Sequence, residues 1–275
     1  MTEKFSYYDL LAYLVPGTVV VWATIQLAEK LGILQLIATG STLLDASAFI
    51  VIAFMAGHLV QAEAQRWLDP SHRYSVFPDG LPSSSFLVCG EKDDKGKPWC
   101  SDSRRLAYIA AAQRHGFLDD KQVDALKTAP SSEEELRQAK QASQDVYRAA
   151  FSLLTDTGRA QKAITANQTY GLFRGLAMTC AVVVALFCIV LIVGLIRSFG
   201  SIGEQLGTWR GFTELLLYPV LVVVAFSYAA VSFRLRARNR GKHHAREVFD
   251  ALLSAPTFDQ EDTPGEGAES QKDGG

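Results

Sequence analysis

The stretch from Leu176 to Ile196 reads LAMTCAVVVALFCIVLIVGLI and contains no charged residue. At about 1.5 Å per residue, a helix of this length crosses the roughly 30 Å hydrocarbon layer of a membrane. Residues 215–233, LLLYPVLVVVAFSYAAVSF, are also uncharged and long enough. Both segments predict transmembrane helices, although the whole chain, with 48% hydrophobic and 20% charged residues, has the average composition of a soluble enzyme.

Two further apolar segments lie near the N-terminus. Residues 10–28 carry no charge once Asp9 is passed, and residues 43–62 contain only Asp45 and His58 as titratable groups. The first run is too long for a secretory signal peptide, its N-terminal flank is nearly neutral, and no small-x-small cleavage site follows. We therefore expect it to remain as an uncleaved span.

These segments predict an all-α membrane protein in which two transmembrane hairpins enclose a mainly helical cytoplasmic insert. The first hairpin takes residues 8–62, the insert and its stalk 63–175, the second hairpin 176–233, a basic juxtamembrane helix 234–254, and a disordered tail 255–275.

The orientation follows from the basic residues beside the spans, because Lys and Arg near helix ends are retained in the cytoplasm. With the N-terminus inside, the inner flanks carry Lys4, Arg66, Arg73, Arg159, Lys162, Arg174, Arg234, Arg236, Arg238, Arg240, Lys242 and Arg246. The outer flanks carry only Lys30, Arg197 and Arg210. This asymmetry predicts a multi-pass membrane protein with both termini and the large middle segment in the cytoplasm.

The insert divides into two parts by composition. Residues 69–99 contain four prolines, which disfavour long helices, and SSFLVC, GEKDDKGK and PWC in succession predict a small β-hairpin. Helices follow: Ser103 can cap the first, Gly116 can end it, and Asp119 can cap the second. Ser132 begins a third helix, with Glu135 at the spacing of a capping box.

The third helix has a narrow apolar stripe, which suits pairing with one other helix better than burial in a deep core. The stripe consists of Leu136, Ala139, Val146, Ala150 and Leu153. Residues 156–196 contain no proline, so a helix can continue from the insert into the third span as a stalk, with a break expected near Thr157 and Gly158. We expect a second interruption at Gly241, in the basic helix after the fourth span.

Motifs of common enzymes are missing from the sequence. GEKDDKGKP lacks the spacing and the hydroxyl residue of a P-loop, and no Gly-x-Ser-x-Gly or His-Glu-x-x-His sequence occurs. Cys89 and Cys100 with His72 and His115 form a poor zinc set, because ten residues separate the cysteines instead of a tight knuckle. We expect reduced cysteines, no metal, no cofactor and no catalytic residue.

Four polar residues at membrane depth form the first candidate site. Asp9 at the start of the first span and His58, Gln61 and Glu63 near the end of the second lie at similar depths if the spans are antiparallel. A bare carboxylate in hydrocarbon costs about 2.5 to 3.5 kcal/mol on insertion scales, which favours a partner such as His58 for Asp9. A carboxylate that caps the helix start and reaches the headgroups explains Asp9 equally well.

Prolines and small residues indicate how the spans bend and pack. Pro16 with Gly17, and Pro219, predict kinks in the first and fourth spans. Small residues recur every four positions and allow close helix packing, within one chain or between copies of a homo-oligomer. They are Ala53 and Gly57 in the second span, Ala177, Ala181 and Ala185 in the third, and Ala225 and Ala229 in the fourth.

A basic run follows Phe233 and forms the second candidate site. It fixes the C-terminus inside, and it can also bind anionic lipid headgroups at about 1 kcal/mol per basic residue. Its members are Arg234, Arg236, Arg238, Arg240 and Lys242. Since no aromatic residues alternate with these arginines, we expect no nucleic-acid binding. We interpret the adjacent His243 and His244 as part of the same solvated or lipid-facing basic surface.

The segments FSYYDLLAYLVPG, from residue 5, and AGHLVQ, from residue 56, resemble a loose group of uncharacterised bacterial inner-membrane proteins that open on YDLLxYLxPG and carry Gly-His in the second span. Proteins of this group are also similar in having an arginine just before the third span, which is Arg174 here. Some proteins of this group occur in antiviral defence neighbourhoods. The resemblance implies a location in the bacterial inner membrane and a defence role, and it supplies no catalytic residue.

Three functional hypotheses remain open at this point. In the first, which we favour, the chain is a non-enzymatic sensor or effector whose insert receives a cytosolic partner or signal and alters the membrane bundle. The second is a passive scaffold that only recruits a cytosolic partner. The third is an intramembrane enzyme or transporter that uses Asp9, His58 and Glu63.

Overall fold

A computed structural model of the chain describes residues 7–31, 42–68, 75–77, 80–93, 95–197, 211 and 213–255. The regular structure of these residues is helical. The helices are α1 (Tyr7–Leu31), α2 (Thr42–Trp67), α3 (Pro82–Ser85), α4 (Asp102–Arg114), α5 (Asp120–Lys127), α6 (Glu133–Asp156), α7 (Gln161–Arg197), a π-helical turn (Thr213–Leu217) and α8 (Tyr218–Leu253). Four of them, α1, α2, α7 and α8, are long and apolar enough to cross a membrane, which confirms the four predicted apolar helices.

The chain divides into two compact units. The first, which we call the bundle unit, comprises residues 1–78 and 165–241; the second, the core unit, comprises residues 79–164 and 242–275. Helices α7 and α8 each contribute residues to both units. The predicted tail lies outside the described residues, apart from Ala255.

In the bundle unit, α1 and α2 run antiparallel in close contact. Residue 17 lies opposite residue 53, and residue 57 lies opposite residue 13. Beyond this crossing, Trp22 of α1 stacks on Phe187 of α7 at 5.8 Å and on Phe226 of α8 at 6.5 Å between ring centroids. The aromatic contacts therefore join three of the four long helices.

The core unit is built around large apolar side chains. Phe86 and Phe249 stack with ring centroids 5.0 Å apart, and Tyr108 contacts both rings. The apolar side of α6 is buried in this cluster, which corrects the prediction that its narrow stripe suits pairing with a single helix. The stripe is wider than predicted because Ala142, Ser143 and Leu154 are also buried.

The helix ends of the core unit follow the predicted capping chemistry with one shift. Gly116 follows α4 with a φ of 71°, a conformation that favours glycine. The Asp119 carboxylate accepts from the backbone N–H of Gln122, and the backbone N–H of Asp119 donates to Oε1 of Gln122, which together form a capping box. Ser132 accepts from Glu135 N. The predicted cap at Ser103 is wrong, because Ser101 caps α4 two residues earlier.

The predicted β-hairpin is wrong within the described residues. Pro82–Ser85 form a short helix, and turns follow as far as Gly90. A single antiparallel bridge joins Lys92 and Pro98. Asp93 accounts for this, since its carboxylate accepts from the backbones of Lys95 and Lys97 and so closes the loop tightly in place of extended strands.

Helix α7 starts after a break at the predicted place. Residues 157–160 separate α6 from α7, and Gly158 has a φ of 70°. The predicted interruption at Gly241 is wrong, since α8 continues through it to Leu253. Gly241 instead allows the ring of Phe77 to approach α8 closely, because a Cβ at this position would overlap that ring.

Candidate functional site

Helices α1 and α2 of the bundle unit approach each other closely where they cross. A Cβ on Gly17 would overlap the backbone carbonyl of Ala53, and a Cβ on Gly57 would overlap the carbonyl of Tyr13. The small residues predicted on α2 therefore pack within the chain. Pro16 is buried beside this crossing, inside the α1 helix.

Gln61 connects three helices. Its side-chain Nε2 donates to the carbonyl of Ala12 on α1 at 2.9 Å and to that of Gly171 on α7 at 3.3 Å. Gly175 leaves room for this amide, because a Cβ at that position would overlap it. This predicted polar residue thus uses its donor group to hold helices together.

The other members of the predicted polar cluster are separately engaged. The imidazole of His58 is exposed and stacks on the ring of Tyr13, with centroids 4.0 Å apart. The carboxylate of Glu63 accepts a hydrogen bond of 2.9 Å from Trp67 Nε1. The side chain of Asp9 lies outside the described part of the chain, so the contact between Asp9 and His58 stays a prediction.

Pro219 stands in a position that tolerates proline. It is the second residue of α8 and follows the π-helical turn Thr213–Leu217. A proline in the first helical turn lacks an N–H that would have no partner within the helix in any case. The irregular turn before it marks the place where the backbone departs from regular α-helix.

The faces of small residues predicted on α7 and α8 are less buried than the one on α2. Ala177 is buried, whereas Ala181, Ala185 and Ala225 are exposed and Ala229 is half-buried. Much of this small-residue surface is consequently open within the described chain.

The predicted headgroup residues have different environments. Arg234 Nη2 donates to the carbonyl of Ser75 at 2.5 Å, and the guanidinium of Arg236 lies over the ring of Phe173. Arg238 is half-buried, and Arg240 is exposed.

Lys242 differs from the four arginines because its contacts are in the core unit. Its ammonium group forms an ion pair of 3.3 Å with Asp93 and lies 5.3 Å from the ring centroid of Trp99. Although burial opposes the shift, the backbone N–H groups of Lys97 and Lys95 and the charge of Lys242 lower the pKa of Asp93. Lys242 thus fixes the loop that contains Asp93.

His244 was predicted to lie on a solvated or lipid-facing basic surface, and this is wrong. It lies beyond Phe233, where the apolar part of α8 ends, and it is buried in the core unit with its Nε2 hydrogen-bonded to the hydroxyl of Tyr147. Burial lowers the pKa of His244 to about 4 and raises that of Tyr147 to about 12. The two groups therefore stay neutral near pH 7.

A second polar group joins α4 to α8. The carboxylate of Asp250 accepts from the hydroxyl of Tyr108 and from Arg104 at 2.7 Å. Burial and this carboxylate raise the pKa of Tyr108. The sequence offered a signal for this packing, namely the helical spacing of four buried residues around Asp250: Ala245, Val248, Phe249 and Leu252.

No group of three His, Cys, Asp or Glu side chains that could hold a metal ion occurs among the residues described. Cys89 and Cys100 are free thiols, and burial raises the pKa of Cys100. His72 lies outside the described residues. The polar side chains described above therefore serve mainly to join one helix to another.

Comparison with protein-family models, curated proteins and solved structures finds no match to this chain.

Proposed function

We propose that the chain is a non-enzymatic membrane sensor or effector, in which the core unit receives a cytosolic partner and α7 and α8 transmit that event to the bundle unit. The observation that carries the proposal is the continuity of these two helices. Residues 161–164 of α7 and 242–253 of α8 belong to the core unit, and the remainder of both helices belongs to the bundle unit.

Surface composition supports a membrane location for the bundle unit. Leu59 of α2 is 70% exposed and Tyr228 of α8 is 77% exposed. Among the described residues, every exposed large apolar side chain except Leu106 belongs to the bundle unit. Such a surface matches hydrocarbon and disfavours water. Together with the basic flanks, it supports two hairpins in the inner membrane with both termini and the core unit in the cytoplasm.

A polar cleft on the core unit offers a receiving surface. It lies between α5 and α6, has a volume of about 550 Å³, and is lined by Lys121, Arg137 and three glutamines. Amide and charged groups of this kind suit a polar protein surface better than an apolar peptide. We therefore place the cytosolic partner here, and expect Gln138→Ala combined with Gln141→Ala to weaken its capture from native membranes.

The transmission step is tested by breaking both connecting helices. Two glycines inserted after Asn167 in α7 and two after Asn239 in α8 leave the core residue Ala163 in place, because both insertion points are exposed and lie in the bundle unit. We expect the doubly inserted chain to capture the partner while the partner-induced change in hydrogen exchange of the bundle unit disappears.

The matched control is a two-glycine insertion at Gly158. This position is an exposed turn of the core unit and lies outside both connecting helices. The control chain should keep the bundle response. A bundle response that survives the double insertion would contradict transmission through α7 and α8.

A passive scaffold is the second candidate, and the Gln61 contacts favour it. An amide bound to carbonyls of α1 and α7 restrains movement of α2 relative to both. Liposomes loaded with dye separate the two proposals when the purified chain and its captured partner are added. Leakage is expected of an effector that alters the bundle, whereas a scaffold leaves the liposomes intact.

A role in antiviral defence is part of the proposal and is supported only by the resemblance of the YDLLAYLVPG opening. We expect cells that express the chain together with its native gene neighbours to form fewer plaques in a phage panel. Unchanged plaque counts across the panel would remove this part and leave the transmission proposal standing.

A further inference from the structure

An apolar groove runs along the bundle unit between α7 and α8. Its volume is about 420 Å³, and its floor is formed by Ala177, Ala181 and Ala185. Val231 of α8 forms one wall, and Trp67 and Arg234 also line it. The three alanines are spaced by four residues, so they lie on one face of α7 and leave a channel about 12 Å long.

The groove is open at the side. Ala181 and Ala185 are exposed, and Val231 is 60% exposed. If α7 and α8 span a bilayer, this opening faces the acyl chains. The volume lies within the range of about 300 to 1,000 Å³ that is typical of small-molecule sites.

One residue that lines the groove, Arg234, carries a positive charge. Arg234 is the first residue after the apolar segment 215–233, and its hydrogen bond to the Ser75 carbonyl at 2.5 Å holds the guanidinium in place. A guanidinium offers a planar set of donors that matches the oxygens of a phosphate. Trp67 is an aromatic residue of the kind that is enriched where hydrocarbon meets the headgroups.

Charge favours a lipid over a second copy of the chain. Two copies joined through this groove about an axis along the membrane normal would bring both Arg234 side chains to one depth in the interface, where like charges repel. An anionic phospholipid instead supplies an apolar chain for the alanine floor and a negative group for Arg234.

We propose that this groove binds one anionic phospholipid, with an acyl chain on Ala177, Ala181 and Ala185 and the phosphate on Arg234. The proposal rests on the membrane location of the bundle unit and is independent of transmission through α7 and α8. Extraction of membranes with carbonate checks the location first: a chain released from the membrane would contradict both proposals, whereas a retained chain isolates the groove for testing.

The test is native mass spectrometry of the full chain in detergent with phosphatidylglycerol or phosphatidylcholine of the same acyl composition. We expect the wild-type chain to retain one phosphatidylglycerol about tenfold more strongly than phosphatidylcholine, as one charge-assisted contact provides. Ala181→Leu with Ala185→Leu fills the groove and should remove retention of both lipids. Arg234→Gln should remove the preference and keep the weaker retention.

Matched substitutions outside the groove provide the controls. Ala225→Leu adds the same side chain on an exposed part of α8, and Arg148→Gln removes an exposed arginine from α6 of the core unit. Both should leave lipid retention unchanged. Equal retention of the two lipids by the wild-type chain, or retention that survives the double leucine substitution, would overturn the proposal. A dimer that the double substitution abolishes would overturn it in favour of a second copy.

Discussion

The bundle unit and the core unit are both helical, yet the bundle unit exposes many large apolar side chains and the core unit exposes few. In the core unit the buried interior holds large rings such as Tyr108, Phe86 and Phe249. In the bundle unit the α1–α2 crossing is filled by Gly17, Gly57 and Ala53, and large aliphatic side chains are exposed. Water drives large apolar groups inward, whereas hydrocarbon solvates them and leaves close backbone packing to hold helices together.

The largest expected effect comes from adding one methyl group at the crossing. Gly17→Ala places a Cβ where the Ala53 carbonyl lies, and backbone cannot move aside as a flexible side chain can. We expect a loss of at least about 3 kcal/mol in the free energy of unfolding of the bundle unit, seen as a lower melting temperature in detergent. Gly171→Ala is the matched control, since nothing lies within 4 Å of its Cβ. Equal melting of the two variants would refute close packing at the crossing.

The next effect belongs to the core unit and depends on pH. The folded pKa of His244, about 4, lies below its ordinary value of 6.5, so the unfolded chain binds more protons between these two values. Neutral His244 therefore contributes up to about 3 kcal/mol to the free energy of unfolding. This contribution is fully present above about pH 6.5 and is lost as pH falls towards 4. Hydrogen exchange of α6, corrected for the intrinsic effect of pH, should reveal the loss.

His244→Phe should remove this pH dependence, because no group at that position then takes up a proton. His243→Gln is the control, as the His243 side chain is 47% exposed. Burial also lowers the pKa of His115, so part of the slope remains in both chains. The interpretation fails if the slope between pH 4 and 6.5 is equally steep in His244→Phe and in the wild-type chain. The bundle unit should show no matching change over this range.

A smaller effect is expected at Gln61. Gln61→Leu removes two hydrogen bonds that join α2 to α1 and α7, at about 1 kcal/mol each. Thermal melting in detergent should show a loss of about 1 to 2 kcal/mol. Gln65→Leu, at an exposed position one turn further along the same helix, should change stability little. If both variants have the same melting temperature, the hydrogen bonds of Gln61 do not hold the helices together.

The smallest effect concerns a helix cap in the core unit. Asp119→Ala removes the capping box of α5 and should cost about 1 kcal/mol. Increased hydrogen exchange confined to α5 would report it. Asp124→Ala removes an exposed acid from the same helix without touching its cap. Exchange that rises equally in both variants would argue against a specific role for the cap.

Local signals predicted much of the fold. The lengths of the four apolar segments, the cap at Asp119 and the stop at Gly116 depend on residues close in sequence, and the structure confirms them. The β-hairpin failed because an Asx-type turn at Asp93 closes the loop locally. The predicted interruption at Gly241 was wrong because the glycine is needed for another reason. It leaves room for the ring of Phe77, which is distant in sequence.

The candidate site was harder to predict than the fold. Polarity at membrane depth identified Gln61, but its carbonyl partners lie 49 and 110 residues away and have no sequence signature. His244 was assigned to a basic surface because its neighbours are arginines. Its burial follows from the helical spacing of Ala245, Val248 and Leu252, which only becomes informative once the helix is known to pass Gly241.

The proposed membrane location of the bundle unit and cytoplasmic location of the core unit are tested most directly by labelling single cysteines in spheroplasts. In a chain whose four native cysteines are replaced by serine, Gln141→Cys reports on an exposed position of α6, and Ser201→Cys reports on the segment expected outside. With a maleimide that cannot cross membranes, our account predicts that Ser201→Cys is labelled at once and Gln141→Cys only after the membrane is permeabilised. Labelling of Gln141→Cys in intact spheroplasts would contradict it.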